Sequence, residues 1–340
     1  MFQFNRILII GSPFIKRVFS FSDQLFQIFN ILPIFLIIST KISKKVFIFL
    51  SFSTLWFLGR QSDIEVILRF TLGLCPFLFL SNRTDIKYKN FAISAYAMFV
   101  FYGFFQYFMG YTHFEMSWIR QYSQVNEGFL GHNSRVFGMQ AGMPEFTFLM
   151  IALATVSYAR KKYVIFLVCA FGAFIGGTRG IILSWLTTLI LFTFFRNKNV
   201  SLRLMMLSHL SVYIVLLVFG LTVFTMGEGA RFLDIGSFLA RGLIYNELLS
   251  SLNISSVVIG PHLNKLIFDN AFLFTYNYFG LFGLIFSVLL LKHLKKFIGN
   301  DFLYCIWIGY AFYADIILFF FLNVTLVLFR NVVFDHRLKK

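Results

Sequence analysis

"YVIFLVCAFGAFIGGTRGIILSWLTTLILFTFF", residues 163–195, holds two apolar runs joined by a short connection whose single charge is Arg179. Arg160, Lys161 and Lys162 precede the first run, and Arg196 and Lys198 follow the second. Neither run alternates with period two, as a barrel strand would. Lipid offers backbone N–H and C=O groups no partner, so each run must satisfy its own as a helix. Two helices joined by a tight turn put both basic ends on one side and Arg179 on the other. The excess of Lys and Arg marks the cytoplasmic side, so Arg179 faces out.

The same pattern extends along the chain. Of 340 residues, 59% are hydrophobic and 13% charged, where a soluble domain carries about a quarter charged. Mean hydropathy is +0.79. Candidate spans cover residues 24–40, 45–59, 64–80, 90–110, 145–159, 163–178, 180–195, 205–226 and 271–291. Most approach the roughly 20 residues that a bilayer needs. A last apolar run, 302–329, crosses twice or re-enters and returns, with Asp315 or Asn323 as its turn. The predicted fold is all-α: a single integral membrane domain over residues 1–340, a polytopic helix bundle of about 10–11 transmembrane helices. No internal repeat is visible. The net charge of +16 is assigned to cytoplasmic loops rather than to nucleic-acid binding. Cys75, Cys169 and Cys305 lie inside apolar runs and read as small buried hydrophobes, not a disulfide framework. The first residues have a short apolar run and no small-residue cleavage site, unlike a removable signal.

Five short connections hold half of the Lys and Arg and are placed in the cytoplasm. The alternate connections face out. Two of them are long, approximately 111–144 and 227–268, and loops of that length are usually functional or disordered. Their mixture of Arg, His, Glu and aromatic residues predicts an ordered site. Arg120 and Arg135 lie in the first, Arg231 and Arg241 in the second. An arginine fork grips phosphate bidentately, or it forms surface salt bridges, here to Glu115, Glu127, Glu228, Asp234 or Glu247. Arg179, in so short a turn, must face a wet cavity or a partner. Gly172 and Gly176 have the small-xxx-small spacing of close helix packing, which would hold that turn rigid.

Pro144–Glu145 suits a helix start, where the dipole favours the carboxylate. An outer Arg135 before it can also build a rim site. Asp269–Asn270 precedes another apolar run and reads as an N-cap. Asp269 and Tyr276 are seven residues apart, as are Asn270 and Asn277, which predicts a polar stripe descending from the outer rim. Gly280 and Gly283 follow for close contact. His113, His132 and His262 face out, each a base or an ordinary loop residue, and His262 is grouped with the substrate-binding candidates. There is no G-x-x-x-x-G-K loop, H-E-x-x-H pair, Asp-x-Asp pair or zinc-spaced Cys/His cluster. No metal or other cofactor is therefore expected.

The order of these features, "RVFGMQAGMPE", "GGTRG", "ARGLIYNELL", "VVIGPHL" and "DNAFLFTYNYFGLFGLI", over roughly residues 135–291, resembles the bacterial O-antigen polymerase and ligase superfamily. The resemblance implies a multi-pass inner-membrane glycosyltransferase whose active site faces the periplasm. Its donor would be an undecaprenyl-diphosphate-linked oligosaccharide, with a chain-length regulator as a possible protein partner and no nucleic acid. It implies that Arg179 and Arg241 hold the diphosphate, with Asp269 as the third catalytic residue. Arg135, Arg120, Arg231, Glu145, Asn270, Tyr276, Asn277 and His262 are the expected substrate-binding set. A ligase typically enters the late span with His–Asn, and Asp269–Asn270 stands there instead, which favours the polymerase. Arg120/Gly131 and Arg231/Gly242 fit the R-x10-G spacing described for polymerase loops. The alternatives are a ligase that transfers glycan to a lipid acceptor, and a membrane transporter or glycolipid flippase.

Overall fold

The computed structural model describes residues 51–53, 55, 56, 59, 66, 70, 71, 73, 74, 76, 77, 100–111, 143–195, 200–225, 235–263, 270–314 and 320–329. These are helices and their connections, with no strand among the described residues. The fold is all-α. Its labelled helices are α1 (Met143–Ala159), α2 (Tyr163–Gly176), α3 (Arg179–Phe194), α4 (Leu202–Thr225), α5 (Ile235–Ser250), α6 (Ile254–Ile259), α7 (Ala271–Ile298), α8 (Asp301–Ala311) and α9 (Phe320–Leu328). A further helical stretch covers residues 100–109. The chain divides into two compact units, Met1–Phe52 with Arg69–Ile182 and Leu318–Lys340, and Ser53–Leu68 with Leu183–Ile317.

In the first unit α1 is the central helix. Phe146, Phe148, Leu149, Met150, Ile151, Ala152 and Ala154 have no exposed surface, so α1 is enclosed on every side rather than amphipathic. It turns through Lys161, held at φ +57°, and packs antiparallel on α2. The small-xxx-small pair makes this approach possible. A Cβ on Gly172 would stand 2.5 Å from Met150 Sδ, and one on Gly176 would stand 2.5 Å from Thr147 Oγ1. α9 also packs against α1. Asn323 lies within α9, fully buried, and its Nδ2 donates to the Gly73 carbonyl at 2.9 Å. Asn323 is therefore not the turn of the last apolar run. α8 ends at Ala311 and is followed by a turn at residues 312–314, and Asp315 lies outside the described residues.

In the second unit α8 is buried from Phe302 to Ala311. Asn300 caps it by accepting from the Leu303 N–H. His209 of α4 lies over Gly309 and approaches Cys305 Sγ at 3.4 Å and Thr188 Oγ1 at 3.5 Å. The expected outer loop 227–268 contains two helices, α5 and α6.

The largest departure from the sequence reading is inside α7. Gly280 adopts φ +58°, ψ −140°, and breaks the helix. Thr275 Oγ1 lies 3.0 Å from Ser287 Oγ. Along one straight helix those residues would be about 18 Å apart. Ala271 and Phe272 likewise share a small cavity with Leu290 and Leu291. The two limbs, 271–279 and 281–298, therefore run antiparallel as a hairpin with its tip at Gly280. The apolar stretch Ala271–Lys295 has the length and hydropathy of a membrane span, but it is not one straight span. Only the limb 281–298, about 27 Å long, is near bilayer thickness.

The two glycines of the first unit differ in what they meet. Gly172 faces the flexible end of Met150, whereas Gly176 faces a β-branched threonine already hydrogen-bonded to Thr178. Gly176→Ala is expected to cost about 1–3 kcal/mol and Gly172→Ala less. Gly280→Ala should cost more than either, because its φ is positive and backbone atoms of Val258 and Gly260 occupy the Cβ position. Thermal unfolding of the three purified variants in one detergent checks this order.

Candidate functional site

The first unit supplies a turn with Arg179. Gly177 ends α2 in the left-handed conformation at φ +66° and donates its N–H to the Phe174 carbonyl. Thr178 then starts α3, its carbonyl accepting from Ile181 and Ile182. Thr147 Oγ1 donates to Thr178 Oγ1 at 3.2 Å, tying the turn to the first helical turns of α1. Glu145 is buried in that first turn, at the same end of the α1–α2 hairpin as Arg179. Arg179 is the first residue of α3 and half-buried, and its Nε is buried without a hydrogen-bond partner. A cation at a helix N-terminus opposes the helix dipole by about 0.3–1 kcal/mol. Helix stability does not account for it, and the combination forms an electropositive corner suited to an anion.

The second unit supplies the residues around the α7 hairpin. Asn270 is the N-cap: its Oδ1 accepts from the N–H groups of Phe272 at 3.0 Å and Leu273 at 3.1 Å, and its Nδ2 donates to the Phe312 carbonyl at 3.3 Å. The predicted cap is present. Asn270 and Asn277 both lie on the short limb, and the chain reverses three residues after Asn277. Asn270 lies level with Leu290 and Leu291, about 15 Å along the long limb from the Gly280 tip. Asn277 is fully buried. Its Oδ1 accepts from the Leu263 N–H at 2.8 Å and its Nδ2 donates to the Leu263 carbonyl at 3.1 Å. It thus clamps the segment after α6 rather than lining an open groove. Tyr276 is half-exposed.

Carbonyls at the end of the short limb lose their helical partners at Gly280. The His262 N–H donates to the Asn277 carbonyl at 2.9 Å, and Trp56 Nε1 donates to the Tyr278 carbonyl at 2.9 Å. His262 has φ +56°, and its ring meets Tyr278 edge-on at 5.3 Å. Gly260, at φ +90°, lies directly against the carbonyls of Tyr276 and Asn277. These contacts build one wall of an open cleft of about 600 Å³ lined by Ser251, Asn253, Ser255, Ser256, Gly260 and His262, among others.

Arg241 lies in α5, with its side chain outside the described residues. Asp269, Arg120, Arg135 and Arg231 also lie outside them. Trp56 escaped the sequence reading, since its partner is a backbone carbonyl far along the chain, and the "VVIGPHL" segment was singled out without its contacts to the short limb. The pairing of Gly280 with Gly283 was the available signal. The described residues hold no group of three or more His, Cys, Asp or Glu that could bind a metal ion.

No family model, curated protein or solved structure matches this chain.

Replacing Asn277 by Ala leaves the Leu263 N–H and carbonyl unpaired. A lost buried hydrogen bond of this kind costs about 1–3 kcal/mol. Asn277→Ala is expected to lower the unfolding midpoint and to speed proteolysis between α6 and α7. Unchanged cleavage in that segment would remove the clamp role.

Proposed function

We propose that this chain is a multi-pass membrane glycosyltransferase that polymerises polyprenyl-diphosphate-linked oligosaccharide repeat units on the outer face of a bacterial inner membrane. The observation that carries the reading is Arg179: a half-buried guanidinium at a helix N-terminus, its Nε buried without a partner. A diphosphate matches its charge and its fork. Support for membrane residence comes from side chains that water would not tolerate in such number. Val164 and Leu167 on α2, Leu207 and Val215 on α4 and Phe282 on α7 are 62–76% exposed. Exposed apolar side chains in such number mark contact with lipid or a partner. The polytopic bundle, with loops 111–144 and 227–268 outside, belongs to this proposal.

In the proposed reaction an acceptor sugar hydroxyl attacks the anomeric carbon of the donor through an oxocarbenium-like state. The new C–O bond forms as the bond to the diphosphate breaks, and polyprenyl diphosphate leaves with the electron pair. Arg179 neutralises the charge that grows on the leaving group, and the family resemblance implies the same task for Arg241 of α5. Fixed positive charge in a water-poor site lowers such a barrier by several kcal/mol. The hydroxyl proton passes to a carboxylate, Asp269 in the first place, with Glu145 at the Arg179 end as the other candidate. Arg135, Arg120 and Arg231 join the substrate-binding set from the loops.

The broken α7 favours a second reading. Discontinuous helices with capped half-helix ends are a feature of transporters, and a glycolipid flippase would share the anion site. Turnover of a lipid-linked repeat unit by the purified protein separates enzyme from transporter.

Arg179→Ala is expected to abolish long-chain surface polysaccharide while protein level holds, and Arg179→Lys to restore it only in part. Long chains made by Arg179→Ala would overturn the diphosphate assignment. In a null strain, single repeat units still attached to the lipid acceptor indicate a polymerase, and none attached indicates a ligase.

A further inference from the structure

The cleft beside the α7 tip has a chemistry of its own. Apart from the His262 imidazole, none of the described residues lining it ionises. Ser251, Asn253, Ser255 and Ser256 dominate it, and Ile259 and Pro261 are its larger apolar members. Its volume of about 600 Å³ falls within the range of small-ligand sites. Among the described residues an anion would find no fixed cation there, and a lipid tail would have to cover hydroxyl and amide groups.

The wall is held in shape by contacts that do not involve a ligand. Asn253 and Ser256 form a reciprocal capping box, with Ser256 N–H on Asn253 Oδ1 at 2.7 Å and Asn253 N–H on Ser256 Oγ at 2.7 Å. Gly260 is pressed against two carbonyls of the short limb, and His262 is fixed by its N–H on Asn277. Asn277 then holds Leu263 by two hydrogen bonds. The three lining hydroxyls already donate: Ser251 Oγ to the Leu248 carbonyl, Ser255 Oγ to Asn253 Oδ1, and Ser256 Oγ to the carbonyls of Ser251 and Asn253. Their lone pairs remain as acceptors. Neutral acceptors pre-set in this way are matched by a ligand that offers neutral O–H donors.

We propose that this cleft, Ser251–His262, binds uncharged sugar rings of the glycan. The identity of the occupant rests on the proposed glycosyl transfer. Ser251 immediately follows α5, ten residues after Arg241, or about 15 Å along the helix. The cleft therefore holds rings away from the diphosphate-linked anomeric carbon. It selects repeat units with a neutral stretch at that distance and rejects those carrying a uronate or sialate there.

The test uses the full chain in lipid nanodiscs and two separate binding measurements. A microbial glycan array presents neutral and acidic repeat-unit oligosaccharides. Undecaprenyl diphosphate alone is titrated in parallel. Expected is capture of neutral oligosaccharides, weakened at least tenfold by Ser255→Trp, which fills the cleft from an exposed position. An unchanged unfolding midpoint establishes that the Ser255→Trp variant is folded, and Ser255→Tyr repeats the test with a smaller ring. Arg179→Ala should weaken undecaprenyl diphosphate binding and leave glycan capture intact. No neutral glycan captured, or equal capture by both folded Ser255 variants, overturns the cleft assignment even if undecaprenyl diphosphate still binds. Loss of diphosphate binding by neither Arg179→Ala nor competition, with glycan capture intact, counts against the proposed function instead.

Discussion

The α6 segment and both limbs of α7 depend on the backbone at Gly280. A φ of +58° with ψ −140° is a conformation only glycine adopts without strain, and it turns one apolar helix into a hairpin. Gly283 then lets the returning limb lie against the Thr275 carbonyl. The reversal strands carbonyls at the tip, and buried carbonyls must be paired. The Trp56 indole and the His262 N–H meet this demand. The position of the α6 segment, the left-handed backbone at His262 and the cleft wall all follow from supplying those partners.

The helix ends were largely legible in the sequence because their signals are local. Pro144 and the basic turn 160–162 bracket α1, and Gly177 stops α2. Asn270 was recognisable as a cap because an N-cap acts on residues two and three positions ahead. The break at Gly280 was not legible. Glycine is tolerated within membrane helices, and the run from Phe272 to Leu291 is apolar enough to read as one span. The tip meets groups outside the run, Val258, Gly260 and His262 before it and Trp56 far away in the chain, which periodicity does not show. Asn277 illustrates the same limit. Its spacing from Asn270 suggested a polar stripe, yet both ends of its amide are occupied by one backbone unit, Leu263. Asn323 was expected at a turn because it is polar in an apolar run, but it lies inside α9 and holds the Gly73 carbonyl.

For the candidate site, residue type and location were readable and geometry was not. A lone arginine in a tight turn between apolar runs was visible as an anomaly. That it begins α3, against the dipole and with a buried Nε, needed the coordinates. The cleft left almost no trace in sequence, since serine and asparagine after a helix ordinarily signal a cap. They form a cap here as well, and the same groups that close α6 face the cleft.

The short limb of α7 is also an electrostatic object. Its nine residues carry aligned peptide dipoles whose negative pole is damped at the Gly280 tip by two N–H donors. Its positive pole opens at Asn270, whose neighbours Ala271 and Phe274 are buried. In surroundings of low polarisability such a pole is weakly screened. It favours a negative group beside it and disfavours a proton on that group.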